Sequence, residues 1–154
     1  MIALIQRTTS ASVEIDKKLH SKTGRGFLIL LGVYSEDTEK QVDILASKVA
    51  KLRVFEDENG KMNLSPSQLV ERGEVCEIMV VSQFTLCAEC KGQNRPSFIK
   101  AARPDVAIPL YESFVSKLKN DFGFKVETGE FGADMKVSLL NDGPVTIILD
   151  TDKL

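Results

Sequence analysis

The residues best suited to chemistry follow an apolar stretch at residues 75–81. The next residues include Ser82, Gln83 and Thr85, which bring two hydroxyl groups and one amide to the point where a predicted buried strand leaves the core. Such a strand end holds side-chain donors and backbone N–H groups in fixed positions, as many sites require. An ordinary turn would use the same residue types. A second polar segment, NDGPVT at residues 141–146, by itself predicts a hairpin turn between two strands.

The usual catalytic and metal-binding patterns are absent from the sequence. The single histidine, His20, has lysines around it and no nucleophile motif nearby, which argues against a catalytic triad. Cys87 and Cys90 form a CxxC pair, but Cys76 is the one other thiol, so small residues at the edge of a site are favoured over a metal or redox pair. No glycine-rich phosphate loop occurs. We predict no metal and no cofactor; backbone groups or the substrate must do much of any catalysis.

Composition is that of an ordinary globular protein. The chain has 154 residues, 43% hydrophobic and 27% charged, which predicts one domain over residues 1–154. No apolar run is long enough to span a membrane, the first residues show no signal-peptide pattern, and three cysteines predict reduced thiols. We therefore expect a cytoplasmic protein without membrane contact.

Charge limits the nucleic acids that the chain could bind. A net charge of −2 argues against a broad basic face, and we expect no DNA binding. Residues 91–103 nevertheless carry four basic side chains and no acid. Two interpretations stay open for this run: a solvated loop, or a small local patch for an RNA end.

The elements that would position the polar segments are strands and helices in alternation. A continuous apolar run at residues 27–33 predicts a central strand buried on both faces. Val42, Leu45, Ala46 and Val49 fall on one face of a predicted helix, capped by Ser35 or Asp37. Ser65 and Pro66 predict a short helical turn, and a second long helix begins at Pro104 and stops at Gly123, with Pro109 one turn inside it. Further strands are predicted at residues 2–7, 11–16, 53–55, 75–81, 124–127, 135–140 and 145–149.

This order predicts an α/β fold: one compact domain of mixed β-sheets with two main helices on one side. Two helices are too few to cover every apolar strand face. We therefore expect a second sheet layer, giving β/β/α layers, or a dimer interface that buries the rest.

The two polar segments together resemble the signature pair of the D-aminoacyl-tRNA deacylases, the D-tyrosyl-tRNA deacylase family. The segments are SQFTL at residues 82–86 and NDGPVT at residues 141–146. Four more segments match in family order: MIALIQR at 1–7, GKMNL at 60–64, NRPSF at 94–98 and TGEFGADM at 128–135. Departures are small: Gly132 replaces the more usual alanine, and Cys87 and Cys90 lie where relatives vary.

The resemblance implies a homodimer that hydrolyses the ester between a D-amino acid and the 3′-terminal adenosine of tRNA, without a cofactor. It also implies removal of glycine mischarged on tRNA-Ala. Each pocket would combine residues 82–86 of one subunit with Gly143 and Pro144 of its partner, whose peptide bond is cis in the family. Parallel carbonyls of this Gly-cisPro pair would accept the amine of a D-amino acid, and would meet a side chain or a C–H group in the L-isomer.

The resemblance further implies roles for single residues. The backbone N–H groups of Phe84 and Thr85 would stabilise the oxyanion, within a catalytic segment that includes Ser82 and Gln83. Activation of water would come from the ribose 2′-OH of the tRNA, with Thr85 as a covalent nucleophile the rival.

The remaining site residues would bind the substrate. Arg7 would clamp the loop that carries Gly143 and Pro144. Phe131 and Met135 would line the adenosine end. A different class of function also stays open: a homodimeric binding module for an amino-acid-like ligand, which the acidic pI and the lack of catalytic side chains favour.

Overall fold

The computed structural model describes residues 1–154 as eight strands, three α-helices and two 3-10 turns. In chain order they are β1 (Ile2–Ile15), β2 (Lys18–Thr23), β3 (Gly26–Gly32), α1 (Glu39–Ala50), β4 (Phe55–Glu56), β5 (Met62–Leu64), α2 (Pro66–Glu71), β6 (Glu77–Ser82), the turn Phe84–Cys87, α3 (Pro104–Asn120), β7 (Lys125–Thr128), β8 (Met135–Asp150) and the turn Thr151–Lys153. No helix combines the length and the apolar character needed to cross a membrane.

Six strands form one mixed sheet, which confirms the predicted α/β class. Its order is β2-β1-β3-β6-β7, and β8 pairs with β1 along almost the full length of both strands. The pairs β3–β6 and β6–β7 are parallel, and the other pairs are antiparallel. The short strands β4 and β5 form a separate ribbon.

The two long helices cover one face of this sheet. Phe27, Ile29 and Leu31 of β3 point to this side, where they join one apolar cluster with buried residues of α1 and α3. The predicted cap of α1 was wrong, because Thr38 caps the helix and forms a capping box with Gln41. Asp37 is not available for capping, since its carboxylate accepts hydrogen bonds from the Met1 α-amino group at 2.6 Å and the Tyr34 N–H at 2.7 Å.

The face of β3 and β6 that points away from the helices is covered by other strands of the same sheet. Leu28, Met79 and Val81 form a second apolar cluster with Ala11 and Val13. The first half of β1 belongs to the helix-side cluster and its second half belongs to this one, with irregular pairing around Thr8 between the halves. The second layer that the sequence analysis called for is therefore made by β1 and β8.

Two boundaries differ from the sequence predictions. Residues 2–15 form one strand instead of two, because Thr8 and Ser10 keep their pairing with Asn141 and Leu140. The predicted hairpin at residues 141–146 is also wrong, because β8 continues through it. Between the pairs Gln6–Thr146 and Thr8–Asn141, β1 has one residue and β8 has four, so residues 142–145 bulge out of the ladder. We call residues 142–145 the β8 excursion.

Candidate active site

A cavity of about 360 Å³ opens at the carboxyl end of β6. Its lining includes Ser82, Gln83 and Phe84 at the strand end, together with Phe131 and Met135. The end of β6 is held by α3, because the Tyr111 hydroxyl donates to the carbonyl of Val80 at 2.9 Å. The cavity thus lies where the sequence analysis placed a site, at the end of a buried strand.

The polar rim of the cavity is a tight turn of backbone. The Gln83 N–H donates to the Leu31 carbonyl at 2.8 Å, and the chain then enters the 3-10 turn Phe84–Cys87. The N–H groups of Phe84 and Thr85 lie in the first turn, where no intrahelical acceptor exists, and Gln83 provides no side-chain cap. Instead the Gln83 amide donates to the Thr85 hydroxyl. This leaves two adjacent backbone donors beside the cavity.

Ionisable side chains contribute little to the cavity. Tyr111 and Asp134 are the titratable residues in its lining. Burial raises the pKa of Tyr111 to about 12, so its phenol stays protonated and keeps its hydrogen bond to Val80. The Asp134 carboxylate is exposed and pairs with Lys136 at 2.9 Å. The lining therefore offers hydrogen-bond donors and apolar surface, without a histidine, cysteine or lysine to act as a base.

Cys87 and Cys90 do not form a reactive pair at the site. Cys87, the last residue of the turn, is buried, and burial raises the pKa of its thiol to about 11, which keeps it protonated near neutral pH. Cys90 is exposed. No group of three or more His, Cys, Asp or Glu side chains is arranged to hold a metal ion.

The second signature segment lies on the β8 excursion, above Arg7. The Arg7 side chain is almost fully buried, with Nη1 donating to the Val54 carbonyl at 2.6 Å and Nε donating to the Asp142 carbonyl at 3.2 Å. Asn141 braces the other end, since its Oδ1 accepts from the Val145 N–H at 3.1 Å. The Gly143–Pro144 peptide bond is cis, and both residues are exposed.

The structure thus divides the residues singled out from the sequence into two groups. Five of them line the cavity: Ser82, Gln83, Phe84, Phe131 and Met135. Thr85 is exposed just beyond its rim. Gly143 and Pro144 lie on the β8 excursion, Arg7 of β1 binds that excursion through Asp142, and none of the three lines the cavity.

Sequence reasoning missed Tyr111, Ala102 and Ala107 as lining residues. Tyr111 was assigned to the apolar stripe of the second helix. Its hydroxyl was the available signal, because a buried tyrosine needs a hydrogen-bond partner.

Comparison with known proteins gives whole-length matches. A family model described as D-Tyr-tRNA(Tyr) deacylase matches residues 4–150. A D-aminoacyl-tRNA deacylase of Flavobacterium psychrophilum is 55% identical over 151 residues, covering 98% of this chain and 97% of the relative. The protein of the same name from Thermosipho africanus is 50% identical over 154 residues, covering 100% of this chain and 99% of the relative.

Solved structures match at the same length. A structure described as c-Myc DNA Unwinding Element Binding Protein has a TM-score of 0.87 and 40% identity, and the match covers 97% of this chain and 98% of that one. A structure described as a probable eukaryotic D-amino acid tRNA deacylase has a TM-score of 0.81 at 16% identity, covering 96% and 97%. The latter shows a common fold.

Proposed function

The chain belongs to the D-Tyr-tRNA(Tyr) deacylase family, and from this premise we propose that it is a D-aminoacyl-tRNA deacylase. It hydrolyses the ester bond between a D-amino acid and the 3′-terminal adenosine of tRNA, releasing the free D-amino acid and the tRNA. The observation that carries the proposal is the whole-length family match, in which both signature segments are intact.

The cavity at the end of β6 takes the terminal adenosine. Its volume of about 360 Å³ and its mainly apolar lining suit a flat nucleoside, with Phe131 and Met135 against the base. The scissile ester then lies at the rim, beside Phe84 and Thr85. This orientation is supported by the free N–H group of Phe84, which lines the cavity, and by that of the next residue, Thr85, just beyond its rim.

The reaction uses backbone donors and the substrate's own hydroxyl. Water attacks the ester carbonyl, and the N–H groups of Phe84 and Thr85 stabilise the oxyanion that develops. The ribose 2′-OH, adjacent to the ester, assists proton transfer in place of a side-chain base. A covalent role for Thr85 is disfavoured by its surroundings, since its hydroxyl bonds to the Gln83 amide group, which donates a hydrogen bond and is no base.

Selection for the D-isomer comes from the Gly143 and Pro144 carbonyls of a second subunit, which accept the substrate's amine as a Gly-cisPro gate. Two observations support a homodimer with shared sites. Gly143 and Pro144 are exposed and do not line the cavity of their own chain. The same strand exposes large apolar side chains, with Leu140 62% and Ile148 61% accessible, which an isologous interface would cover.

The proposed Gly-cisPro gate also accepts glycine as the esterified amino acid. Because glycine has no side chain, a gate that tests only the position of the amine and the space beside it accepts glycyl-tRNA-Ala as well. Aminoacyl-tRNA is consumed in translation, so we assign the protein to the cytoplasm, where it acts in proofreading.

One assay tests the proposal against a purely binding role. Purified protein is incubated with D-tyrosyl-tRNA, L-tyrosyl-tRNA and glycyl-tRNA-Ala, and release of free amino acid is followed. We expect hydrolysis of the D-tyrosyl and glycyl esters and none of the L-tyrosyl ester. Binding of D-tyrosyl-tRNA without release of tyrosine would favour a non-enzymatic module, and a stable monomer of about 17 kDa in sedimentation would contradict the shared site.

A further inference from the structure

The loop between the 3-10 turn and α3 is held in place beside the cavity. We call residues 88–103 the basic loop. Glu89 and Ser97 exchange backbone hydrogen bonds of 2.8 and 3.0 Å, which closes the tip of the loop. The Ala102 N–H donates to the Val33 carbonyl at 2.9 Å, which ties its base to the end of β3. The loop therefore presents its side chains from a fixed backbone.

An exposed aromatic pair joins this loop to the rim of the cavity. Phe98 of the basic loop contacts Phe84 edge to face, with ring centroids 5.0 Å apart. Phe84 is 56% exposed and lines the cavity, and Phe98 is 38% exposed and does not line it. The neighbouring Ile99 is 85% exposed. Exposed apolar surface that is continuous with a cavity marks a place where a ligand extends outward.

The basic loop carries two positive charges that have no acidic partner. Lys91 and Arg95 are exposed and form no salt bridge or side-chain hydrogen bond, while Lys100 lies 3.5 Å from Glu89. No acidic residue occurs between positions 91 and 103, although the whole chain has a net charge of −2. Basic side chains beside exposed aromatic rings suit single-stranded nucleic acid, with phosphates on the cations and bases on the rings.

A second groove borders the cavity and has a net negative lining. This groove, of about 500 Å³, runs along α3 and shares Tyr111 and Phe131 with the cavity. Its charged lining residues are Glu112, Glu130 and Lys119, two acids to one base. A phosphate backbone would be repelled there more than attracted.

From these contrasts we propose that the tRNA strand next to the terminal adenosine leaves the cavity over the Phe84–Phe98 pair. An unstacked base of the single-stranded 3′ end stacks on Phe98, and its phosphates bind Lys91 and Arg95. This inference rests on the proposed function, because it assumes that the cavity holds the terminal adenosine. It adds a subsite, and it assigns the polar residues of the α3 groove no role in RNA binding.

Two variants and two substrates test the subsite. Lys91→Gln/Arg95→Gln is compared with Lys48→Gln/Lys51→Gln, which removes the same charge from exposed positions at the end of α1. On D-tyrosyl-tRNA the loop variant should raise KM without changing kcat, and the slope of log(kcat/KM) against log[salt] should become less steep by about 1.4. On D-tyrosyl-adenosine, which has no phosphates, both variants should equal the wild type. Equal salt slopes for the two variants on D-tyrosyl-tRNA would overturn the inference.

The stacking contact is tested with Phe98→Leu, which keeps apolar contact with Phe84. The loss of kcat/KM should be about 5- to 100-fold greater on D-tyrosyl-tRNA than on D-tyrosyl-adenosine. Lys119→Gln, in the α3 groove, should have no effect on either substrate. A larger loss of kcat/KM on D-tyrosyl-tRNA for Lys119→Gln than for Lys91→Gln/Arg95→Gln would overturn the inference. A changed oligomeric state of the loop variants in sedimentation would also overturn it.

A binding experiment separates this inference from the proposed function. Its ligand is an RNA oligonucleotide that ends in CCA and carries no amino acid. Fluorescence anisotropy should give weaker binding for Lys91→Gln/Arg95→Gln than for Lys48→Gln/Lys51→Gln, whether or not the protein hydrolyses any ester. Equal affinities would overturn the subsite alone. Absence of hydrolysis by the wild type would overturn the proposed function alone. Double-stranded DNA that competes as well as the RNA would overturn the assignment to a single strand.

Discussion

Arg7 and Asp142 are joined twice: the Nε atom of Arg7 lies 3.2 Å from the main-chain oxygen of Asp142 and 3.2 Å from its carboxylate. The same guanidinium donates through Nη1 to the Val54 carbonyl at 2.6 Å. One buried side chain therefore links the β8 excursion to the segment that follows α1. The proposed clamp on Gly143 and Pro144 is based on this link.

Arg7→Lys should lower both stability and activity, because a lysine ammonium cannot reach the two partners on either side of the guanidinium. Loss of a buried charged hydrogen bond costs about 1–3 kcal/mol, measured as the change in the free energy of unfolding in urea. Arg53→Lys is the control, since Arg53 is exposed and donates to the Asn63 carbonyl on the surface. Equal losses of stability and of D-tyrosyl-tRNA hydrolysis in the two variants would contradict the proposed clamp.

Phe84→Pro should reduce kcat about 100- to 1,000-fold, because proline removes one of the two proposed oxyanion donors. Proline suits the first position of a helical turn, and Gln83, at φ −147° and ψ 82°, lies outside the α region that a following proline disfavours. Phe84→Ala loses the ring but keeps the N–H, and serves as the matched control. If both variants lost kcat equally, the ring and not the N–H would be the important group.

Thr85→Ala should keep most of the wild-type kcat, because the proposed mechanism uses backbone N–H groups and the substrate hydroxyl instead of the Thr85 side chain. A catalytic nucleophile would instead show a loss of about a million-fold. Single-turnover hydrolysis of D-tyrosyl-tRNA measures the difference. A loss of the larger size, with a trapped acyl-enzyme in the wild type, would establish a covalent threonine.

Mixing two inactive variants should restore activity if each site is shared between subunits. In Gly143→Val, the new side chain meets Val145 Cγ2 at 2.9 Å and Arg7 Nη2 at 3.1 Å, at a φ of +125°, so the excursion is displaced. When Gly143→Val and Phe84→Pro are refolded together in equal amounts, half of the dimers are mixed, and each mixed dimer has one complete site out of two. About a quarter of the wild-type sites should therefore be recovered. A site built within one chain would predict no recovery.

Glu77→Gln should destabilise the protein at pH 7 more than at pH 3. The Lys125 ammonium, 2.8 Å from the carboxylate, and the Gly24 N–H, at 2.7 Å, hold the pKa of Glu77 below its usual value. A carboxyl with a lowered folded-state pKa stabilises the fold above its unfolded pKa of about 4.3, and that contribution is lost as pH falls through the lowered value. Urea unfolding of the wild type and the variant at both pH values measures this.

Glu58→Gln is the control for this pH dependence, since Glu58 is exposed and makes no hydrogen bond or salt bridge. Its effect on the free energy of unfolding should be small at both pH values. A Glu77→Gln effect that does not depend on pH would show that the ion pair with Lys125 contributes nothing measurable.

Local patterns allowed most elements to be predicted. The apolar period of α1, the short helix after Ser65, the helix starting at Pro104 and the buried run of β3 all occur in the structure. The polar rim after β6 was also predicted, because the change from apolar to hydroxyl and amide side chains is itself a local signal. The helix boundary at Thr38 was missed because the deciding partner of Asp37, the Met1 amino group, is 36 residues away.

The features that were missed depend on contacts between distant parts of the chain. The residues NDGP have the composition of a hairpin turn, but pairing with β1 keeps β8 continuous around them. Nothing in the local sequence shows that Arg7 reaches Val54, or that Phe98 meets Phe84. The second apolar cluster also has no local signal, because it forms only when β1 and β8 curl over the far face of β3 and β6.

The pairing of β1 with β8 has a consequence for the chain during its synthesis. Ile2 pairs with Asp150, and Arg7 meets an excursion whose Asp142 is translated 135 residues after it. A nascent chain can form α1, β3 and β6 while β1 still has an open edge, and such edges bind other strands. The sheet therefore closes only after β8 leaves the ribosome, and a nascent chain that ends before β8 lacks Gly143 and Pro144.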